Sequence, residues 1–306
     1  MGAKFCLIRG LVIALLIHIS GCTSVQPPMR SADLSTKEIE LVDVPFYAQA
    51  DHQCGPAALA TVLNHAGVAR TLQQLEDEVF IPQRQGSLAI EMLGATRRAG
   101  VVPYVLKPHL QTLLQEVAAG NPVVVLQNLR FDFLPQWHFA VVVGFDTVAQ
   151  TVTLRSGDQA HYLMGMADFD NSWAKAARWA FVALPATQLP ATANADDFLS
   201  AAITLERVSP EQAIHAYQTA LNAWPNHLLA RLALGNSFYR RHEMAAAQDQ
   251  YTQATVAHPE SADAWNNLAQ VLYDTHQFDP AHAAIAKAVA IGGPRLAHYT
   301  LTRGSF

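Results

Sequence analysis

The chain has 306 residues, of which 51% are apolar and 15% are charged, and its formal net charge is −5. This composition supports the folded cores of about two domains and excludes an intrinsically disordered protein. Because phosphate binding requires clustered lysine and arginine, the acidic balance and the lack of a basic block exclude nucleic acid as an expected partner.

The first 21 residues are typical of an export signal. An apolar run over residues 11–17 follows two basic residues and is shorter than the roughly 20 residues that a membrane span needs. Residues 19–22 read ISGC, which resembles a lipobox, the site where the signal peptidase of bacterial lipoproteins cleaves before a lipid-modified cysteine. We therefore predict a signal peptide over 1–21 and lipidation of Cys22, although an ordinary signal peptide with a chance cysteine is the alternative. Thr23, where Asp would mark retention, favours an outer-membrane anchor facing the periplasm.

The segment after the predicted lipid is polar and proline-containing, so we predict a tether over 22–40. Residues 41–184 then mix helical and strand patterns. Apolar spacing predicts four helices, near 55–66, 71–79, 87–99 and 109–119, with Ser87 as the N-cap of the third. Valine-rich and aromatic runs predict five strands, near 101–106, 122–126, 139–145, 151–154 and 179–184. Helices first and strands later favour an α+β domain with an antiparallel sheet.

Residues 185–195 are predicted to form a linker, and a repeat pattern begins after them. Three sets of residues recur at a step of 34: Ala213, Ala247 and Ala281; Tyr217, Tyr251 and Ile285; Ala220, Ala254 and Ala288. This period resembles the tetratricopeptide repeat, an all-α solenoid in which small residues let paired helices approach. We predict about three repeats over 196–293 and a C-terminal tail over 294–306.

Cys54 is the one cysteine that the predicted signal and lipid leave unassigned. It stands immediately before a predicted helix that opens with Gly55-Pro56, and proline suits the first turn of a helix. The N-terminus of a helix offers unpaired N–H groups and a partial positive charge, which favour a thiolate. His138, at the start of a predicted strand, can act as the base, and Gln49 can donate a hydrogen bond to an oxyanion.

Gln49, the run Cys-Gly-Pro-Ala that begins at Cys54, and the run His-Phe-Ala-Val-Val that begins at His138 together resemble a known family. They are similar to the double-glycine leader peptidases, the bacteriocin-processing cysteine peptidases of the papain-like superfamily. The resemblance covers residues 41–184 and implies a papain-like α+β fold with a Cys-His-Asp arrangement. It implies that Cys54 is the nucleophile, His138 the base and Gln49 the oxyanion donor, with no cofactor.

The third catalytic member departs from the pattern of this family, in which an aspartate precedes a proline. The corresponding residues here read Leu-Arg-Ser-Gly-Asp over 154–158. A hairpin that pairs Phe145 with Thr151 would bring Asp158 opposite His138. We therefore predict that Asp158 orients the imidazole, with Ser156 as the next candidate.

The sequence thus predicts a membrane-anchored extracytoplasmic thiol peptidase with a peptide or protein substrate, whose repeats recruit a protein partner. The alternative is an inactive peptidase-like adaptor, which the missing Asp-Pro favours. A cell-wall amidase of a related papain-like group ranks lower, because those enzymes usually show Asp-Cys-Ser-Gly at the nucleophile. No metal site is predicted, since the histidines follow no metal-binding spacing.

Overall fold

The computed structural model describes residues 36–48 and 53–306. The signal segment, Cys22 and Gln49 lie outside the described residues, so what the sequence indicates for them stays a prediction. Within the described part of the chain, no helix is long and apolar enough to cross a membrane.

Residues 36–48 and 53–184 form one antiparallel sheet packed between helices. Its strands are β1 Glu38–Glu40, β2 Val102–Val105, β3 Val123–Asn128, β4 Trp137–Asp146, β5 Thr151–Ser156, β6 Gln159–Gly165 and β7 Ala180–Leu184. The helices are α1 Cys54–His65, α2 Leu72–Val79, α3 Ala89–Arg98, α4 Leu110–Ala118 and α5 Met166–Ala174, with a short 3-10 helix at Pro82–Arg84. The strand order is β2-β7-β3-β4-β5-β6, and β1 pairs with β4. The predicted α+β class with an antiparallel sheet is confirmed.

The sheet is covered on both faces, which explains the unbroken apolar run in β4. Phe139, Val141 and Val143 pack into the cluster that holds the buried side of α1. Gln127 of β3 points to the other face, where its side chain donates to the Ser172 hydroxyl of α5 at 2.7 Å. The two faces together bury the centre of the sheet and fix α1 against β4.

Three elements of the sheet domain were not predicted from the sequence patterns: β1, β6 and α5. β1 lies within the predicted tether, and its Glu38 pairs with Asp146. β6 and α5 fill the stretch between the fourth and fifth predicted strands. β6 is almost wholly exposed, so it lacks the apolar alternation by which a half-buried strand is recognised.

The predicted register of the β4–β5 hairpin was off by one residue at the turn. Phe145 pairs with Val152, not with Thr151, and a bulge then shifts the register between Val142 and Gly144. The bulge lies where β1 approaches, because a Cβ on Gly144 would meet the Ile39 carbonyl oxygen at 2.6 Å. A bulge adds one unpaired residue, and beyond it the pairs Val142–Leu154 and Val141–Arg155 follow the predicted register.

Residues 195–306 are helical throughout. The helices are α6 Ala195–Ile203, α7 Pro210–Ala223, α8 Leu228–Arg240, α9 Met244–Ala257, α10 Ala262–Asp274, α11 Phe278–Ile291 and α12 Leu296–Ser305. They form three consecutive pairs with α12 added, as the step of 34 predicted. The predicted C-terminal tail was wrong: it folds as α12, because Tyr299 is buried against the last pair and Phe306 stacks on Tyr273 at 4.3 Å.

A buried carboxylate fastens the segment between the sheet and the repeats. Glu116 of α4 is fully buried and accepts from the N–H groups of Ala191 and Thr192 and from the Thr192 hydroxyl, at 2.6–3.1 Å. Asn121 donates to the same carboxylate at 2.7 Å. The predicted linker is therefore held along its second half rather than left as a free tether.

Candidate active site

Cys54 is the first residue of α1, with Gln53 as the N-cap. The predicted helix is confirmed, and it begins one residue earlier than the spacing indicated. Because the first N–H groups of a helix have no partner within the helix, those of Cys54 and Gly55 are available to the sulfur, and they act to lower the Cys54 pKa. The residue is partly buried and makes no disulfide with any described residue.

Gly55 is required by close packing at this helix start. A Cβ at Gly55 would overlap the side chain of Ser87, and it would lie 3.3 Å from the Met92 sulfur. The prediction of Ser87 as an N-cap was therefore wrong, since α3 begins after Leu88 and Ser87 packs on α1 instead. The Ser87 hydroxyl is buried without a hydrogen-bond partner among the described residues.

His138 is the second residue of β4 and is partly buried. The backbone N–H of the next residue, Phe139, lies near the Cys54 sulfur and also acts to lower its pKa. The helix start that carries Cys54 therefore meets the strand start that carries His138. The structure brings these two predicted residues to the same end of the sheet.

The His138 ring is held by Ser156, the last residue of β5. Its Nε2 lies 2.8 Å from the Ser156 hydroxyl oxygen. Asp158, the predicted partner, lies exposed in the turn between β5 and β6 and makes no contact with His138. The reason is local: β5 ends at Ser156, and Gly157, with a φ of 61°, turns the chain away. In this geometry Ser156, the second candidate from the sequence, is hydrogen-bonded to His138, and Asp158 is not.

Arg155, next to Ser156, supports the chain that leads to the site. This guanidinium is nine-tenths buried and donates to the carbonyl groups of Leu41 and Val44, each at 3.4 Å. It also pairs with Glu40 at 3.4 Å. No sequence pattern indicates this role, because the partners of Arg155 lie more than a hundred residues away along the chain.

Burial sets the protonation of the pair. It raises the Cys54 pKa, against the smaller lowering effect of the backbone N–H groups of Phe139, Gly55 and Cys54 itself. It also lowers the His138 pKa. Both shifts favour the uncharged forms, a thiol and a neutral imidazole. The sequence predicted the thiolate-favouring contribution of the helix start but not the larger opposing effect of burial.

Metal chemistry has no visible basis in this part of the chain. Across residues 36–48 and 53–306, no three histidine, cysteine or acidic side chains cluster as metal ligands would.

Comparison with protein families identifies both halves of the chain. Residues 41–180 match the Peptidase C39 like family. Residues 205–247 and 232–295 match the tetratricopeptide repeat.

The chain contains a Peptidase C39-like domain followed by tetratricopeptide repeats.

Solved structures give matches to each part of this C39-like repeat protein. A C39-like peptidase from Bacillus anthracis is 17% identical with a TM-score of 0.41, over 49% of this chain and 98% of that one. A double glycine motif protease from an AMS/PCAT transporter, in complex with the leader peptide, is 22% identical with a TM-score of 0.35. The match covers 46% of this chain and 93% of that one. MamA is 23% identical with a TM-score of 0.34, over 37% and 66%. No curated protein matches the chain.

The C39-like domain thus confirms the predicted resemblance, while the roles of its site residues stay predictions. Ser156 was named in the sequence only as a second choice for the residue that holds His138. The Ser156-Gly157 dipeptide is the signal that could have ranked Ser156 first, because such a dipeptide marks a turn, beyond which Asp158 leaves the strand.

Proposed function

We propose that this C39-like protein is an extracytoplasmic, membrane-anchored thiol peptidase that hydrolyses a peptide bond with Cys54 and His138. The observation that carries the proposal is the hydrogen bond of 2.8 Å that holds the His138 ring from Ser156, at the end of the sheet where α1 presents Cys54. A nucleophile, a base and a group that orients the base are the parts that covalent acyl transfer needs.

The chemistry begins from an uncharged pair. As the Cys54 sulfur attacks the carbonyl carbon, its proton passes to His138, and the carbonyl π electrons move to the oxygen. The N–H groups at the start of α1, with Gln49 as the predicted further donor, stabilise this oxyanion. When the C–N bond breaks, His138 returns the proton to the leaving amine. Water, deprotonated by His138, then hydrolyses the thioester and releases Cys54 as a thiol.

The proposed location follows from the N-terminal sequence. A lipid on Cys22 would anchor the chain, and the stretch from 23 to 35 would connect the lipid to the first described residues. The repeats would recruit a protein partner through their concave surface. Radiolabelled palmitate incorporation that is lost in Cys22→Ser tests the anchor, and an unlabelled wild-type chain would overturn it.

Peptide hydrolysis by the purified full-length chain tests the activity. A proteome-derived peptide library is incubated with wild type, Cys54→Ala and His138→Ala, and new termini are identified by mass spectrometry. We expect new termini only with wild type. His65→Ala is the matched control, because His65 is exposed at the far end of the same helix; it should cleave like wild type. Equal patterns for wild type and Cys54→Ala would refute the peptidase.

The second candidate is an inactive adaptor in which the repeats are the working part. Two observations favour it: Ser156 supplies no negative charge to His138, and burial raises the Cys54 pKa. It predicts that Cys54→Ala has no effect in cells, while disrupting the repeats does. The peptides that accumulate in a Cys54→Ala strain separate the candidates, since only a peptidase leaves its substrate uncut there.

A further inference from the structure

The segment that joins β3 to β4 exposes large apolar side chains beside the candidate site. Five lie within nine residues: Leu129, Phe131, Phe133, Leu134 and Trp137. Phe133 is 85% exposed and Phe131 is 64% exposed, and their rings stack with centroids 5.3 Å apart. Single exposed apolar residues are ordinary, but a contiguous group of this kind marks an interaction surface. These five residues are called the apolar loop below.

Hydrogen bonds hold the backbone of the apolar loop. The Asn128 side-chain oxygen accepts from the N–H groups of Arg130 and Gln136 at 3.1 and 3.0 Å. The Leu129 N–H donates to the Gln136 carbonyl at 2.9 Å, and Lys175, which caps the C-terminus of α5, donates to the Arg130 carbonyl at 2.7 Å. The aromatic rings are therefore displayed by a braced hairpin, and a ligand would not have to order the backbone as it binds.

The apolar loop lies at the same end of the sheet as Cys54 and His138. Asn128, the last residue of β3, pairs with Trp137, the first residue of β4, and His138 comes next. The Phe139 N–H lies near the Cys54 sulfur, so the start of α1 also reaches this end. A chain bound across the pair of catalytic residues would therefore extend onto the loop.

We propose that the apolar loop binds branched aliphatic or aromatic side chains of the peptide substrate next to the scissile bond, and so selects apolar peptides. This inference rests on the peptidase function proposed above. A peptide suits the loop better than a lipid bilayer because Asp132 is exposed between the two stacked phenylalanines. A carboxylate at the tip opposes insertion into hydrocarbon, but it can stay in water beside a bound peptide.

Binding to a catalytically silent chain tests the loop without relying on activity. The full-length chain carries Cys54→Ala and Cys22→Ser, so that it neither cleaves nor receives lipid. Two fluorescein-labelled 12-residue peptides of equal charge are titrated, one with leucine at four positions and one with serine at the same positions. We expect the leucine peptide to bind more tightly, and Phe131→Ser with Phe133→Ser to weaken that binding by about tenfold or more.

The matched control is Val148→Ser, in the β4–β5 turn at the other end of the sheet. Val148 is 77% exposed, so this change removes similar apolar surface without touching the loop. It should leave both affinities unchanged, and none of the three substitutions alters a buried side chain. Equal binding of the two peptides, or undiminished leucine-peptide binding in the double variant, would overturn the proposal.

Two further measurements identify the partner of the apolar loop if that partner is not a peptide. Sedimentation with phosphatidylcholine–phosphatidylglycerol vesicles that is lost in the double variant, with peptide binding intact, would make the loop a membrane contact. Concentration-dependent dimerisation that is lost in the same variant would make it a contact between copies. Either result would replace the peptide assignment. Absence of cleavage by wild type with the leucine preference present would instead refute the peptidase and leave the loop as a peptide-binding surface.

Discussion

At the scale of single residues, Ser156 determines how His138 is held. Its hydroxyl can orient the imidazole through the 2.8 Å hydrogen bond, but it carries no charge. A carboxylate at this position would also stabilise the imidazolium that forms when Cys54 gives up its proton. The site therefore has the geometry of a three-membered arrangement without its full electrostatic support.

Replacing Ser156 by aspartate should strengthen the pair. The added charge beside Nε2 raises the His138 pKa from its lowered value, and we expect peptide hydrolysis to rise by about tenfold or more. The His138 pKa is measured by NMR titration, and kcat/KM is measured on a cleaved library peptide. Ser156→Asn has the size of aspartate without the charge, so it should show neither gain. An equal rise in kcat/KM in Ser156→Asn and Ser156→Asp would show that the size of the side chain, and not its charge, causes the gain.

The pKa shifts of Cys54 and His138 predict how the reactivity of Cys54 depends on pH. Because burial raises the Cys54 pKa and lowers the His138 pKa, thiolate is scarce at neutral pH. We expect alkylation of Cys54 by iodoacetamide to increase only above the ordinary cysteine pKa of about 8.5, as followed by mass spectrometry of the Cys54 peptide. His138→Ala should change this profile little. An alkylation plateau that extends into the acid range and vanishes in His138→Ala would reveal an ion pair instead.

At the scale of elements, the repeats depend on close approach between paired helices. A Cβ on Gly235 of α8 would lie only 2.5 Å from the Tyr251 ring of α9. In the next repeat the two equivalent positions hold Ala269 and Ile285, so a smaller partner accompanies the larger first-helix residue. The two sites vary together because they share one volume.

Gly235→Ala should therefore destabilise the chain, although alanine favours helices. Overpacking against Tyr251 should exceed the helix-propensity gain and lower the free energy of unfolding by about 1–2 kcal/mol. In a Tyr251→Ile background the same change should stabilise by up to about 1 kcal/mol, since the clash is gone. Urea denaturation of the four chains measures the coupling. Gly94→Ala in α3 is the control. Its added Cβ meets only the ends of the Arg97 and Arg98 side chains, so the change should stabilise the chain in both backgrounds.

At the scale of the whole molecule, the attachment of the repeats to the C39-like domain is specific. Glu116 binds the linker from within the domain, and Lys107 pairs with Asp197 of α6 at 2.6 Å. Thr219 of α7 donates to the Ala186 carbonyl at 2.8 Å. A partner held by the repeats would thus sit at a fixed position relative to Cys54.

Removing the buried carboxylate should release this attachment. Glu116→Ala leaves the N–H groups of Ala191 and Thr192 without their acceptor, which should cost about 3 kcal/mol. We expect faster amide hydrogen exchange at these two residues and cleavage by trace protease between the domains. Gln111→Ala, on the exposed side of the same helix, is the control and should change neither. Unchanged exchange in Glu116→Ala would mean that other contacts suffice.

The sequence by itself determined the two-domain plan, and it indicated the positions of Cys54 at a helix start and His138 at a strand start. The step of 34 residues predicted the repeats because each unit packs only on its neighbours, so local spacing encodes the architecture. The Cys-Gly-Pro run likewise encodes a helix start, and the valine-rich run after His138 encodes a buried strand. These patterns are local, and the structure has the elements that they predicted: α1 begins at Cys54, and β4 is buried after His138.

Only the tertiary structure decided which residue holds His138. The answer depends on where β4 bulges, and β1 reaches Gly144 there from a part of the sequence more than a hundred residues away. It depends also on where β5 ends, which brings Ser156 to His138 and turns Asp158 away. Burial raises the Cys54 pKa against the effect of the helix start, and this burial also comes from segments that are distant in the sequence. The bulge and the burial are set by the packing of the whole domain, and no local spacing contains them.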